Sequence, residues 1–476
     1  MQNPNQKGIS EMNATSTENV VVEAGGGQVV ADVGLHALGR FADRVGVGSA
    51  LSAAVGWQGP GRPIHDRGRV LTQTMLMFSG GGDSCADIET LGSQDRLFGT
   101  VCSDSTLYRT FTTSLDAAAL VRARQAMARV RGDVWDRLPQ LTAGGPVILD
   151  VDASLVEIHS ENKEQTAATY KRGFGFHPML CFADATGETL AARLRAGNAA
   201  ANHPGDLLEV IDEAIGQLPT AVAAGHHDGD DADLAAIPIV VRSDSAGTSE
   251  AFVQGLGARN CGFQIVAARK QAVSAAVEAA ISDPGRWQPA LKPDGQTDLE
   301  ATSDGRTAAV CEATDLVALP GWWPEDTRLI IRRQPLHPGT QTSLFPDLEY
   351  RYWGHYTDQN GDPAELDRQM RGHARCEDRI QRLKDSGMEH FPFTSFEANQ
   401  AWLQTVAWAS DLVVWFQQLC LTGPLSRARP KRLRYQLWRS PARVIRTARR
   451  DIIRILDHWP TAGDILTAYQ RIAAFT

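Results

Sequence analysis

The chain has no run of about eighteen apolar residues, and its opening stretch, Met1 to Thr17, is polar throughout. The first absence excludes a membrane-spanning helix and the second a secretory signal, so a cytoplasmic protein is expected. Cysteine is scarce and dispersed. Cys85, Cys102, Cys181, Cys261, Cys311, Cys376 and Cys420 include no Cys-x-x-Cys pair, which argues against structural zinc and fits a reducing compartment. No Gly-Lys-Ser/Thr follows Gly80, Gly81 and Gly82 and no strand precedes them, so these glycines read as a helix stop rather than a phosphate cradle. Net positive charge is lacking too: the formal charge is -9, which excludes coating nucleic acid by bulk attraction.

What is present is enough apolar material, 43% of 476 residues, for roughly two to four domains or one core with insertions. Against the acidic background stands one basic segment. Between Arg427 and Arg454 it carries Arg429, Lys431, Arg432, Arg434, Arg439, Arg443, Arg446, Arg449 and Arg450 against the single acid Asp451. It reads equally as a solvated helix face and as a contact to phosphate backbone.

The chain is organised around Val147-Ile148-Leu149-Asp150-Val151-Asp152-Ala153-Ser154. An apolar run enters two aspartates spaced two apart, so on a strand both carboxylates share one face. Alone, this is either a strand end reaching solvent or half of a metal site.

Upstream, apolar spacing predicts helices over 33–47 and 70–78, a shorter one capped by Asp104 or Ser105, and a longer one capped by Ser114. Downstream, strands are expected over 173–182 and 189–194, then a helix over 206–218, a strand over 237–241, a helix from Ser249 and a strand over 263–267. This order describes an α/β layer with a mixed sheet. Asp244 sits just past a strand's carboxyl end, where such sheets place their sites. Residues 271–363 interrupt the pattern as a β-rich insertion. One long helix is expected over 367–384, with Glu377 on it, and a final helical block over 395–421 with Trp402, Trp408 and Trp415 in the core. Trp322 and Trp323 in the insertion are candidates to stack on an extruded base, with packing as the plainer role.

Asp152, Asp244 and Glu377 are three separated carboxylates that can hold two Mg²⁺ ions through hard oxygen ligands, the requirement of phosphodiester chemistry. With this set the sequence resembles the DDE-type transposases of bacterial insertion sequences, in the group with a β-strand insertion inside an RNase H-like catalytic domain. The resemblance rests on GGGDSCADIETL at 80–91, SDSTLYR at 103–109, ILDVDAS at 148–154, HSENKEQTAATYKRGFGFHPML at 159–180, RSDSAG at 242–247 and RCEDRIQRLK at 375–384.

The resemblance implies an RNase H-like mixed sheet flanked by helices and interrupted by a β-rich insertion, with helical N- and C-terminal regions. Its divisions are a disordered tail over 1–25, a helical DNA-binding domain over 26–140, the catalytic core over 145–270 and 364–390, the insertion over 271–363, and a helical region with the basic segment over 391–476. Asp152, Asp244 and Glu377 take the places of the metal-binding triad. Asp152 is preferred over Asp150 because a small or hydroxyl residue follows it, and Asp150 supports it from behind. In the relatives' tyrosine, arginine, glutamate and lysine signature, Glu377 and Lys384 keep their places while Met370 and His373 replace the first two. Lys384, His373, Lys163, Lys171, Arg172, Arg432 and Arg434 are the implied DNA contacts. The implied activity is Mg²⁺-dependent cleavage at terminal inverted repeats followed by strand transfer into target DNA, with Mn²⁺ able to substitute and a homodimer pairing two ends. A nuclease that cuts without joining and an inactive DNA-binding remnant are the rivals.

Overall fold

The computed structural model describes residues 29–57, 63–138, 144–268, 270–302, 305–336, 349–447 and 450–475. The tail expected over 1–25 lies outside them.

A nine-stranded mixed sheet forms the centre. In chain order its strands are β1 (Val147–Ala153), β2 (Met179–Ala183), β3 (Thr189–Arg193), β4 (Ile239–Ser243), β5 (Cys261–Val266), β6 (Gln288–Pro289), β7 (Ala309–Glu312), β8 (Arg328–Pro335) and β9 (Tyr350–Thr357). Across the sheet they run β6-β7-β8-β9-β5-β4-β1-β2-β3. β1, β4 and β5 are mutually parallel neighbours, and every other pairing is antiparallel. The strands of the insertion therefore continue the central sheet from β5 outward, through β9, and do not form a sheet of their own.

Alternation along the strands divides the interior into two cores. Leu149 and Val151 on β1, and Met179, Cys181 and Ala183 on β2, face one core with helices α5 (Pro204–Ile215) and α6 (Glu250–Gly257). Leu180 and Phe182 face the other. That second core is built on a 25-residue helix, Phe396–Cys420, which Ser395 starts by accepting from the Ala398 amide. Trp402, Trp408 and Trp415 are all buried on it. A helix apolar all round must be enclosed all round, and this one lies between the sheet and the N-terminal helices α1 (Val33–Arg44), α2 (Val47–Val55), α3 (Arg67–Gly80) and α4 (Ala117–Trp135). Phe78 meets Trp402 edge-on at 4.7 Å, so the N-terminal helices share this core.

Several local expectations give way to the fold. The helix expected over 33–47 stops at Arg44, and α2 begins after Gly46, whose φ of 81° a side chain resists. The short helix is capped by Ser103 and the long one by Asp116, whose side chains reach the Thr106 and Ala119 amides; Ser114 lies in the preceding turn. The strand expected over 173–182 is two. Phe174–Phe176 pairs in a small ribbon with Val156–Glu157 and Ala167–Ala168, and after His177-Pro178 the chain joins the main sheet as β2. Proline has no amide to continue a ladder. The basic segment is no helix face: it holds a short helix and a hairpin, Ala442–Arg446 with Asp451–Ile455, which pairs with Val29–Val30.

The helix expected over 367–384 is also two, α7 (Pro363–Arg371) and α8 (Arg375–Leu383), separated by a tight turn at Gly372–Ala374. The Arg242 guanidinium packs against Gly372, where a Cβ would collide with it, and donates to the Gln369 carbonyl. The Gln369 carbonyl, which also accepts from the Gly372 amide, is thus tied to the sheet where α7 ends.

Candidate functional site

Because Leu149 and Val151 point into one core, Asp150 and Asp152 point to the opposite face of β1, toward α8. The parallel ladder pairs Asp150 with Arg242 and Val151 with Ser243, so Asp152 and Asp244 each follow the last paired step at the carboxyl ends of adjacent strands. Glu377 stands in the first turn of α8.

The two aspartates of β1 have opposite environments. Asp150 is fully buried. It accepts from Arg242 Nε and Nη2, each at 2.7 Å, from Arg379 Nη1 at 2.8 Å and from His373 Nδ1 at 3.0 Å. Burial opposes its ionisation, but these donors outweigh burial and hold its carboxyl well below the usual range. Asp152 is half-buried, and its recorded hydrogen bond comes from the Ala153 amide at 2.7 Å. Burial raises its carboxyl, the Ala153 amide and His373 pull it back, and the neighbouring charges of Asp244 and Glu377 raise it further. Asp152 thus feels the charge of both Asp244 and Glu377. Asp244 accepts from the Ala246 amide, and both it and Glu377 are exposed. Among the described residues none of the three acids forms a salt bridge.

One donor atom each from Asp150, His373 and Cys376 also lies within 4.8 Å of the others, a grouping able in principle to hold a cation. Its chemistry argues otherwise. Asp150 has already spent its oxygens on two guanidiniums that would repel a metal ion, and burial pushes the Cys376 thiol far up, away from the thiolate a metal requires. Among the described residues, Asp152, Asp244 and Glu377 have no salt-bridge partner, and they do not form a group whose ligand atoms all lie within 4.8 Å of one another.

The sequence-derived DNA contacts divide by environment. Lys171 and Arg172 are exposed beside the exposed Tyr170, and Arg432 is exposed with its Nε on Gln436. Lys384 is half-buried, with a long 3.4 Å bond to the Leu155 carbonyl. Lys163 donates to the Phe391 carbonyl at 2.5 Å, and Arg434 spans the Ser79, Phe78 and Asp385 carbonyls, closing the end of α3. His373 is turned inward to Asp150. Trp322 and Trp323 stack on each other at 4.5 Å, with Trp323 buried against Phe263 and Tyr356, so both are packing residues. Sequence reasoning missed Arg242 and Arg379. An arginine closing the apolar run of β4 was the available signal, since a buried guanidinium demands a buried acid.

The family described as transposase DDE domain group 1 matches residues 12–476. No protein of curated function matches the chain. Six solved chains do. One of them, from the cryo-EM structure of a piggyBac transposase synaptic complex with hairpin DNA, aligns with 86% of this chain and 80% of its own length at 10% identity, with a TM-score of 0.40.

Proposed function

We propose that this chain, which belongs to the transposase DDE domain group 1 family, cuts and joins DNA through Asp152, Asp244 and Glu377. In this reading it is the transposase of a bacterial insertion sequence, acting on the terminal inverted repeats of its element and then on target DNA, as a homodimer that pairs two ends. The observation that carries the reading is the set of three acids at two parallel strand ends and the adjoining helix, without salt-bridge partners among the described residues.

Asp152, Asp244 and Glu377 would hold two Mg²⁺ ions, or Mn²⁺ in their place. Bound there, the metals supply a nucleophile activated at neutral pH and stabilise charge on the phosphoryl oxygens. The chain's own part is to hold the three carboxylates open and preorganised. Lys384, just past the end of α8 and seven residues after Glu377, together with Lys171, Arg172 and Arg432, is offered to the phosphate backbone. Lys163, Arg434 and His373 support this surface through the internal hydrogen bonds described above.

The test is purified protein with Mg²⁺ or Mn²⁺ on linear DNA carrying the flanking inverted repeats, scored for end cleavage and joining to a plasmid. Asp152→Ala, Asp244→Ala and Glu377→Ala should each abolish both products, a loss of at least about a thousandfold, while repeat binding persists. Cleavage without joining would instead favour a nuclease, and binding without any product an inactive remnant.

A further inference from the structure

Each of the three acids has a charged residue two positions away: Asp150 before Asp152 on β1, Arg242 on β4 before Asp244 just past its end, and Arg379 after Glu377 on α8. These three residues meet in one buried cluster. Arg242 clasps Asp150 through two nitrogens, and Arg379 Nη1 reaches the same carboxylate at 2.8 Å. Asp184, just past β2, closes the cluster: it lies 3.0 Å from Arg242 Nη2, and its carbonyl and Oδ1 accept from Arg379 Nη2 at 2.7 and 2.9 Å.

The three elements need such a tie unequally. β1 and β4 are already locked by their ladder. α8 has no ladder to the sheet. Its charged link to β1 is Arg379, joined by His373 of the preceding turn, and both end on Asp150. Carboxylates that share metal ions repel one another, and of the three elements the helix is the one held to the sheet by side chains alone, Arg375 and Arg379 on Asp184 included.

We propose that the Asp150–Arg242–Arg379 cluster is a positioning device that fixes Glu377 relative to the two strand aspartates before any metal binds, with Arg379 as its grip on the helix. This rests on the reading of the three acids as metal ligands. Arg379 acts through Asp150, so it is a positioning residue. Its planar fork serves Asp150 and Asp184 at once, which a lysine, a single point of charge, does not reproduce.

The experiment is a Mn²⁺ titration of the full-length protein without DNA, with free Mn²⁺ read by electron paramagnetic resonance and stability by urea unfolding. Glu377→Gln should weaken one class of bound ion. Arg379→Lys should weaken that same class about tenfold and leave the other class and the urea midpoint near wild type. His373→Asn, which keeps a donor for Asp150, should bind as wild type, whereas His373→Ala should resemble Arg379→Lys. Unaltered Mn²⁺ binding in Arg379→Lys overturns the proposal. So does an equal loss of both classes with a lowered midpoint, which marks a general stabilising role. If wild type and Asp152→Asn bind Mn²⁺ alike, the reading of the acids as ligands falls instead.

Discussion

Two of the buried ionic clusters among the described residues are balanced in opposite senses. In the first, Arg131 of α4 is fully buried between Glu188, in the turn into β3, and Asp411 of the long helix α9 (Phe396–Cys420), at 2.8 and 2.6 Å. One guanidinium faces two carboxylates, and neutral donors make up the rest: the indoles of Trp135 and Trp415 both donate to Glu188. In the second, Asp150 and Asp184 face Arg242, Arg379 and the more exposed Arg375. The acid-rich cluster raises the Asp411 carboxyl to about 7, chiefly through burial, with Glu188 adding to the rise and Arg131 opposing it. The arginine-rich cluster holds Asp150 ionised. A closed joint between helices and sheet tolerates a carboxyl that keeps its proton. Beside the proposed metal site, a fixed charge is the more useful anchor.

The sharpest way to break this contrast is to remove one arginine from each cluster. Arg131→Met leaves two buried carboxylates with no cation and should cost about 3–5 kcal/mol in urea unfolding, the largest effect expected. Arg379→Met leaves Asp150 with Arg242 and His373, so its cost should be smaller, about 1–3 kcal/mol. Equal losses would show that the clusters are not differently balanced.

The finest test is pH. The folded pKa of Asp411 is raised, so its contribution is fully present below the unfolded carboxylate value near 4 and is lost as pH climbs through about 7. The folded pKa of Asp150 is depressed, so its contribution is present above that unfolded value and is lost as acid is added. Urea midpoints should therefore show the deficit of Asp411→Asn shrinking from pH 4.5 to about 7.5, and that of Asp150→Asn shrinking as pH falls below about 4. Deficits that move in the same direction with pH would refute the assignment.

Much of this architecture is legible in the residues, for identifiable reasons. The alternation of Leu149 and Val151 with Asp150 and Asp152 marks β1 and the face its acids take, and Ser395 marks the start of the tryptophan helix. Long-range partners are not legible. Nothing local tells that Asp150, and not Asp152, meets Arg242, since the alternation treats the two alike. The break between α7 and α8 is invisible to periodicity, as is the long-range contact there, the Arg242 guanidinium packed on Gly372. Neighbouring candidates such as Ser114 and Asp116 are separated only by which backbone amides lie within reach.

The insertion's place in the sheet also bears on how the protein is made. β9 pairs with β5 in a fixed register, His355 opposite Val266, and α7 and α8 follow directly from it. A ribosome releases Asp152 and Asp244 long before Glu377, and five strands, β5 to β9, are made between Asp244 and the glutamate helix. A nascent chain arrested inside the insertion would carry two of the three acids and an unpaired strand edge at β5. Such fragments would be prone to stick to one another and would lack the third acid.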